Sequence, residues 1–211
     1  HDLKERRLLP QHHKFSFQAR TGNHTETPQI RRTKLRRKTK RGMELDTIIR
    51  FIDGIKRYIL TAFDVEKKFA FAGAYTSHSS ASAADFLTRV IAVCPFEIDE
   101  LQTDNGSEFA LHFEQACASL GLTHFHTYPR SPKMNPFVER FNRTISDDFI
   151  VLNRPLLRDD TPAFNEKLVD WLLWYNTKRP HESLGLVSPL RYIVSTLTAG
   201  ECQMWWTRTG S

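Results

Sequence analysis

Two segments of the chain, residues 101–109 and 129–142, constrain its fold and chemistry more than any other feature. The first, Leu-Gln-Thr-Asp-Asn-Gly-Ser-Glu-Phe, is predicted to be a short strand that ends with Asp104 at an Asn-Gly turn. The second begins as a proline-rich loop and then starts a helix, with Asn135 predicted as the N-cap and a proline at the first helical position. Glu139 therefore falls in the first turns of that helix.

A third acid, Asp46, lies in the middle of the apolar, β-branched run from Met43 to Ile52. An aspartate there is unfavourable for strand formation and costly if it is buried without a partner. The alternative is that Asp46 lies on the solvent face of an edge strand. Asp53 and Asp64 are rival candidates, but Asp53 is explained by its Asp-Gly turn and Asp64 lies only at a strand end.

Each of the other two acids also has an ordinary explanation. Asp104 alone could be a turn-forming aspartate, and Glu139 could form a surface ion pair with Arg143, four positions further along the helix. Three carboxylates brought together repel, by roughly 4 kcal/mol for each pair at about 4 Å. Mg²⁺ or Mn²⁺ would relieve that repulsion, and two such ions can activate an attacking oxygen and stabilise a leaving one. Together the acids predict a two-metal site for phosphoryl transfer.

Four segments, in this order and at this spacing, resemble the catalytic core of the integrase and transposase superfamily: Met43–Thr47, Thr103–Phe109, Ser131–Arg140 and Trp174–Leu184. The resemblance extends from Gly42 to Tyr192 and is closer to bacterial insertion-sequence transposases than to retroviral integrases. Enzymes of this superfamily use two aspartates and one glutamate.

The resemblance implies that Asp46, Asp104 and Glu139 are the catalytic and metal-binding acids, with two Mg²⁺ or Mn²⁺ ions per site. It implies DNA cleavage that frees a 3′-hydroxyl, followed by attack of that hydroxyl on target DNA, so that element ends are joined to the target. Members of the superfamily work as multimers, so a homo-oligomer on DNA is expected. Two alternatives stay open: a ribonuclease H-like nuclease that only hydrolyses, and an inactive DNA-binding remnant of a transposase.

The charge of the chain favours a nucleic-acid partner, with a net charge of +6 and a densely basic run at residues 31–41. Basic or amide side chains around the acids are predicted to contact DNA phosphates; they are Arg130, Lys133, Asn135, Arg140 and Arg143. No apolar run approaches the roughly 18 residues of a membrane span, so no membrane partner is expected. We expect a cytoplasmic, nucleoid-associated protein.

The order of predicted elements favours an α/β fold, a ribonuclease H-like mixed five-stranded sheet flanked by helices. Helices are predicted over residues 107–120 and 135–149, among others. We expect three parts: a polar N-terminal remnant with a basic linker (1–41), the catalytic core (42–155), and a C-terminal helical extension with a tail (156–211). Because the chain begins with histidine rather than methionine, we also expect a piece of a longer protein.

Overall fold

The computed structural model describes residues 42–127 and 135–196, which contain a five-stranded mixed sheet with the order β3-β2-β1-β4-β5. The strands are β1 (Met43–Ile52), β2 (Ile55–Asp64), β3 (Ala70–Tyr75), β4 (Glu100–Thr103) and β5 (Thr123–His126). The first three are antiparallel neighbours, whereas β4 runs parallel to β1 and β5 runs parallel to β4. The predicted mixed five-stranded sheet is confirmed.

Helices cover both faces of this sheet: α1 (Ser80–Val93), α2 (His112–Ser119), α3 (Pro136–Ile145), α4 (Arg154–Asp159), α5 (Thr161–Thr177) and α6 (Pro189–Thr196). Along β1, alternate side chains point to opposite faces. Ile48 and Ile52 pack in the core that α3, α4 and α5 cover, while Met43 and Leu45 pack in the core that α1 and α2 cover. Among the described helices, none combines the length and apolarity that crossing a membrane requires.

Of the two helices predicted over residues 107–120 and 135–149, the first is wrong in its continuity, and the second is helical over its predicted length but changes form. The first is split into a 3₁₀ turn (Ser107–Phe109) and α2, because Leu111 between them has a left-handed backbone with φ of 44°. The second ends as an α-helix at Ile145 and continues as a π turn (Ser146–Ile150). The hydroxyl of Ser146 donates to the carbonyl oxygen of Asn142 at 2.5 Å, a side-chain bond at the point where the helix widens.

Two asparagine side chains of α5 close the open edge of β3. Asn176 accepts a hydrogen bond from the Ala70 N–H at 3.0 Å and donates to the Ala70 carbonyl at 2.8 Å. Asn165 makes the same pair of bonds with Ala74, at 2.8 and 2.9 Å. An edge strand otherwise presents these groups to other chains. The segment Trp174–Leu184 therefore has a structural role in this protein, because it contains Asn176.

Candidate active site

Asn135 is the N-cap residue of the helix that contains Glu139, as predicted, but the side chain that caps this helix is Glu44 of β1. The Glu44 Oε2 atom accepts hydrogen bonds from the backbone N–H groups of Phe137, at 3.1 Å, and Val138, at 2.9 Å. The Asn135 side chain makes no capping bond; it is 7% exposed and accepts a hydrogen bond from Gln102. A buried carboxylate on β1 thus holds the positive end of α3 against the sheet.

Asp46 lies two residues further along β1 and faces the same helix. Its Oδ2 atom accepts a hydrogen bond from the Asn142 side chain of α3 at 2.8 Å, and its Oδ1 atom accepts from the Thr47 N–H at 2.8 Å. The alternative of a solvent-facing aspartate on an edge strand is wrong, because β1 is the central strand of the sheet. Burial raises the pKa of Asp46 from 3.8 to about 6, although the Thr47 bond opposes the rise.

The structure brings Asp104 and Glu139 into electrostatic range of Asp46, since the negative charge of each raises the pKa of Asp46 further. Asp104 is exposed directly after β4, and its Oδ1 atom accepts the Gly106 N–H at 2.8 Å. Glu139 is exposed on α3. Within the described residues, no ion pair joins Glu139 to Arg143, and the three acids do not form a group whose ligand atoms all lie within 4.8 Å of one another.

The two rival aspartates have other partners. Asp53 forms an ion pair with Arg158 at the β1–β2 turn, with 2.5 Å between its Oδ2 atom and the guanidinium nitrogen. Asp64 is buried, and its Oδ1 atom accepts the backbone N–H groups of Glu66, at 3.1 Å, and Lys67, at 2.5 Å. Both side chains therefore stabilise turns, which leaves Asp46 as the acid of the central strand.

A fourth acid, Glu108, was missed in the sequence. It is 4% exposed, and its Oε1 atom accepts a hydrogen bond from the Thr47 hydroxyl at 2.8 Å and lies 2.8 Å from His78 Nε2. Its negative charge also raises the pKa of Asp46. No described residue forms a hydrogen bond with its Oε2 atom, and a Cβ atom at Gly106 would lie 2.3 Å from that oxygen. The φ of Gly106 is −59°, which any residue can adopt. Glycine is therefore favoured at this position by the lack of space beside Glu108 and not by its backbone conformation.

The predicted DNA contacts fall into three groups. Arg140 and Arg143 are exposed on α3, the helix of Glu139. Asn135 is buried, so its side chain is held by the fold rather than displayed on the surface. Arg130 and Lys133 lie outside the described residues.

The donor set of the three acids fits a hard divalent cation. Carboxylate oxygens are the ligands that Mg²⁺ and Mn²⁺ prefer. Burial, with a smaller effect from the neighbouring acids, raises the pKa of Asp46 and so disfavours its ionised form, a cost that a bound cation would offset. Asn142 beside it has a buried side-chain oxygen that accepts no hydrogen bond from the part of the chain that the structure describes.

The sheet order and the helices on both faces define a fold of the ribonuclease H-like class. The integrase core domain family matches residues 35–132 and residues 120–189. This chain therefore belongs to the integrase core domain family, within the retroviral integrase superfamily.

The relatives of this chain include transposases and viral proteins. It is 35% identical over 95 residues to the transposase InsD of insertion element IS2 of Escherichia coli. The aligned region covers 44% of this chain and 31% of that protein. It is 26% identical over 157 residues to a protein of Spiroplasma virus SpV1-C74 that carries the name integrase ORF3, covering 66% and 42% of the two chains. The chain thus spans less than half the length of these two relatives.

Solved retroviral structures share the fold. The simian T-cell lymphotropic virus intasome, in complex with a PP2A regulatory subunit, contains a chain that matches with a TM-score of 0.59 and 20% identity, over 77% of this chain and 56% of that one. The catalytic core domain of HTLV-2 integrase, in complex with magnesium and in a trimeric form, matches with a TM-score of 0.57 and 16% identity, over 72% and 95%.

Proposed function

We propose that this chain is the catalytic core of a DNA transposase or integrase that cleaves DNA at element ends and transfers the freed strand to target DNA. The observation that supports this most strongly is the grouping of Asp46, Asp104 and Glu139 around the central strand of an integrase core domain. The transposase InsD of E. coli, with 35% identity, supports the transposase assignment.

The acids would hold two Mg²⁺ or Mn²⁺ ions, which when bound supply charge stabilisation for the attacking and leaving oxygens of a phosphodiester. The magnesium in the HTLV-2 structure supports this choice of metal. Asn142 and the Thr47 N–H orient the Asp46 carboxylate through one bond to each oxygen. Glu44 fixes α3 on β1, which sets the position of Glu139 relative to Asp46.

DNA would lie along the exposed face of α3, where Arg140 and Arg143 neutralise phosphates next to Glu139. Arg130 and Lys133 stay predicted phosphate contacts from the sequence alone, because they lie outside the described residues. The intasome and the trimeric core among the structural relatives support self-association on DNA. We place the protein in the cytoplasm, on the nucleoid, and assign the core to residues 42–155 between the basic linker and a helical extension.

The test is a strand-joining assay with the full chain. Labelled duplex oligonucleotides taken from the genomic flanks of the gene are incubated with the protein and Mg²⁺ or Mn²⁺, beside the variants Asp104→Asn and Asp99→Asn. Asp99 is exposed just before β4, so it provides the same chemical change outside the site. Joined products that vanish only with Asp104→Asn would support the proposal.

Two other outcomes separate the alternatives. Nicked DNA without joined products would indicate a nuclease that only hydrolyses. DNA binding without chemistry in the wild-type chain would indicate an inactive remnant of a transposase.

A further inference from the structure

A second group of ligand side chains lies beside β4, and it contains none of the three acids. Glu114 of α2 and His124 and His126 of β5 offer ligand atoms that all lie within 4.8 Å of one another. The two histidines are two positions apart on one strand, so they share a face, and their ring centroids are 4.1 Å apart. The distance from Glu114 Oε1 to His126 Nε2 is 3.8 Å.

Hydrogen bonds to β4 and its end orient both imidazole rings. The Thr103 hydroxyl donates its hydrogen to the Asp104 carbonyl at 2.8 Å, so it accepts from His124 Nε2 at 2.8 Å, which leaves the lone pair of that ring on Nδ1. His126 Nδ1 lies 3.3 Å from the same carbonyl oxygen, which can only accept. His126 Nδ1 is therefore the donor in that contact, and Nε2 is the ring nitrogen that lies nearest Glu114.

This arrangement is the one that protein metal sites use, in which one ring nitrogen is held by a hydrogen bond and the other is free to bind. Metals bind imidazole through the ring nitrogen that carries no hydrogen.

We propose that Glu114, His124 and His126 form a binding site for a transition-metal ion of the zinc class, separate from the three-acid centre. Two imidazoles and one carboxylate, with water as the fourth ligand, suit Zn²⁺, whereas Mg²⁺ prefers oxygen ligands alone. Tetrahedral Zn²⁺ with bonds of about 2.0–2.1 Å holds its ligands about 3.3 Å apart. Glu114 can close the remaining gap by rotation, since its side chain is 41% exposed.

An ion at this site would act on the active site through the backbone. It would join α2 to β5, and both histidine rings would then be fixed against Thr103 and the carbonyl of Asp104. The strand end that presents Asp104 would become more rigid. Zn²⁺ is therefore expected to raise the thermal midpoint of unfolding, because it binds the folded chain in preference to the unfolded one.

The test is a titration of the metal-free full chain with Zn²⁺ by calorimetry, and with Co²⁺ by visible absorption, in about 5 mM Mg²⁺ so that the acidic centre does not compete. The chain has nine histidines, several of them in residues 1–41, so the variants decide the result. His126→Gln and Glu114→Gln remove ligands. His112→Gln, on an exposed residue of α2 outside the cluster, is the matched control.

We expect the wild-type chain and His112→Gln to bind Zn²⁺ with equal affinity and to show the intense visible bands of four-coordinate Co²⁺. His126→Gln and Glu114→Gln should bind at least about 10-fold more weakly and lose those bands. Equal affinity and equal spectra in His126→Gln and the wild type would overturn the proposal, as would a wild-type chain that binds no Zn²⁺. If His126→Gln does not fold, Glu114→Gln at its half-exposed position gives the answer.

Discussion

Replacing Glu44 with alanine should destabilise the protein more than any single change at its surface. Glu44 is 4% exposed, and its carboxylate accepts two backbone N–H groups at the start of α3. A hydrogen bond to a charged group contributes about 1.5–3 kcal/mol, and removing the acceptor leaves both donors without a partner inside the protein. The sum for the two bonds predicts a loss of about 3–6 kcal/mol from the free energy of unfolding.

The chemical series at this position separates charge from hydrogen bonding. Glu44→Gln keeps an oxygen that can accept the same two bonds but loses the charge that favours a helix N-terminus, so a loss of about 1–2 kcal/mol is expected. Glu97→Ala is the matched control, because Glu97 is exposed and should change stability by less than about 0.5 kcal/mol.

Urea unfolding, followed by tryptophan fluorescence and by circular dichroism, measures these differences; the chain has four tryptophans. The midpoint should shift while the dependence on urea stays constant. A loss below about 1 kcal/mol for Glu44→Ala would refute the argument that this carboxylate holds α3 on the sheet. At a temperature where Glu44→Gln remains folded, its strand joining should fall, because α3 positions Glu139.

Four further predictions address the site and the sheet edge. Asp46→Asn should stabilise the metal-free protein by up to about 3 kcal/mol above pH 6 and not at all below pH 4. The pKa of the Asp46 carboxyl is raised from 3.8 to about 6 in the folded chain, so the wild type loses stability as pH rises through that interval. Urea unfolding of both proteins across pH measures the difference. Gly106→Ala should cost about 1–3 kcal/mol, since the new Cβ would lie 2.3 Å from Glu108 Oε2, and adding Glu108→Ala should make the two changes non-additive in a double-mutant cycle. Asn176→Ala should cost about 2–4 kcal/mol in thermal or urea unfolding, because it leaves an N–H and a carbonyl of β3 without partners. Glu139→Gln should abolish strand joining yet retain DNA binding in a gel-shift assay, and joining at the wild-type level would remove Glu139 from the site.

The strands could be predicted because their signals are local. The apolar, β-branched run of β1 and the Asp-Gly turn that follows it define both ends of the strand, and the structure places β1 at Met43–Ile52 as expected. The break before α2 could not be predicted, because apolar side chains continue at helical spacing through Leu111. Phe109 and Phe113, on either side of that break, are both buried in the same core, and this packing depends on residues distant in sequence.

The three acids could be proposed from sequence because each lies in a segment with its own structural signal. The contacts that hold them could not, since they join residues that are distant in sequence. Glu44 is 93 residues from the N–H of Phe137, and Thr47 is 61 residues from Glu108. The sequence contained one indication that Glu108 belongs to the site, because it directly precedes a large apolar residue in the same segment as Asp104. An exposed glutamate on a helix has the same sequence pattern, so this indication could not be distinguished from the ordinary case.

The contacts of β1 explain why one central strand can organise the whole site. Glu44, Asp46 and Arg50 share one face and bind α3, where Arg50 donates to the Ser146 hydroxyl at 2.7 Å. Thr47 points to the other face and binds Glu108. A slip of one residue in the register of β1 would exchange these two faces. The hydrophobic pattern that fixes the register of β1 against β2 therefore also fixes which acid reaches the helix of Glu139, so the fold and the site are specified by the same residues.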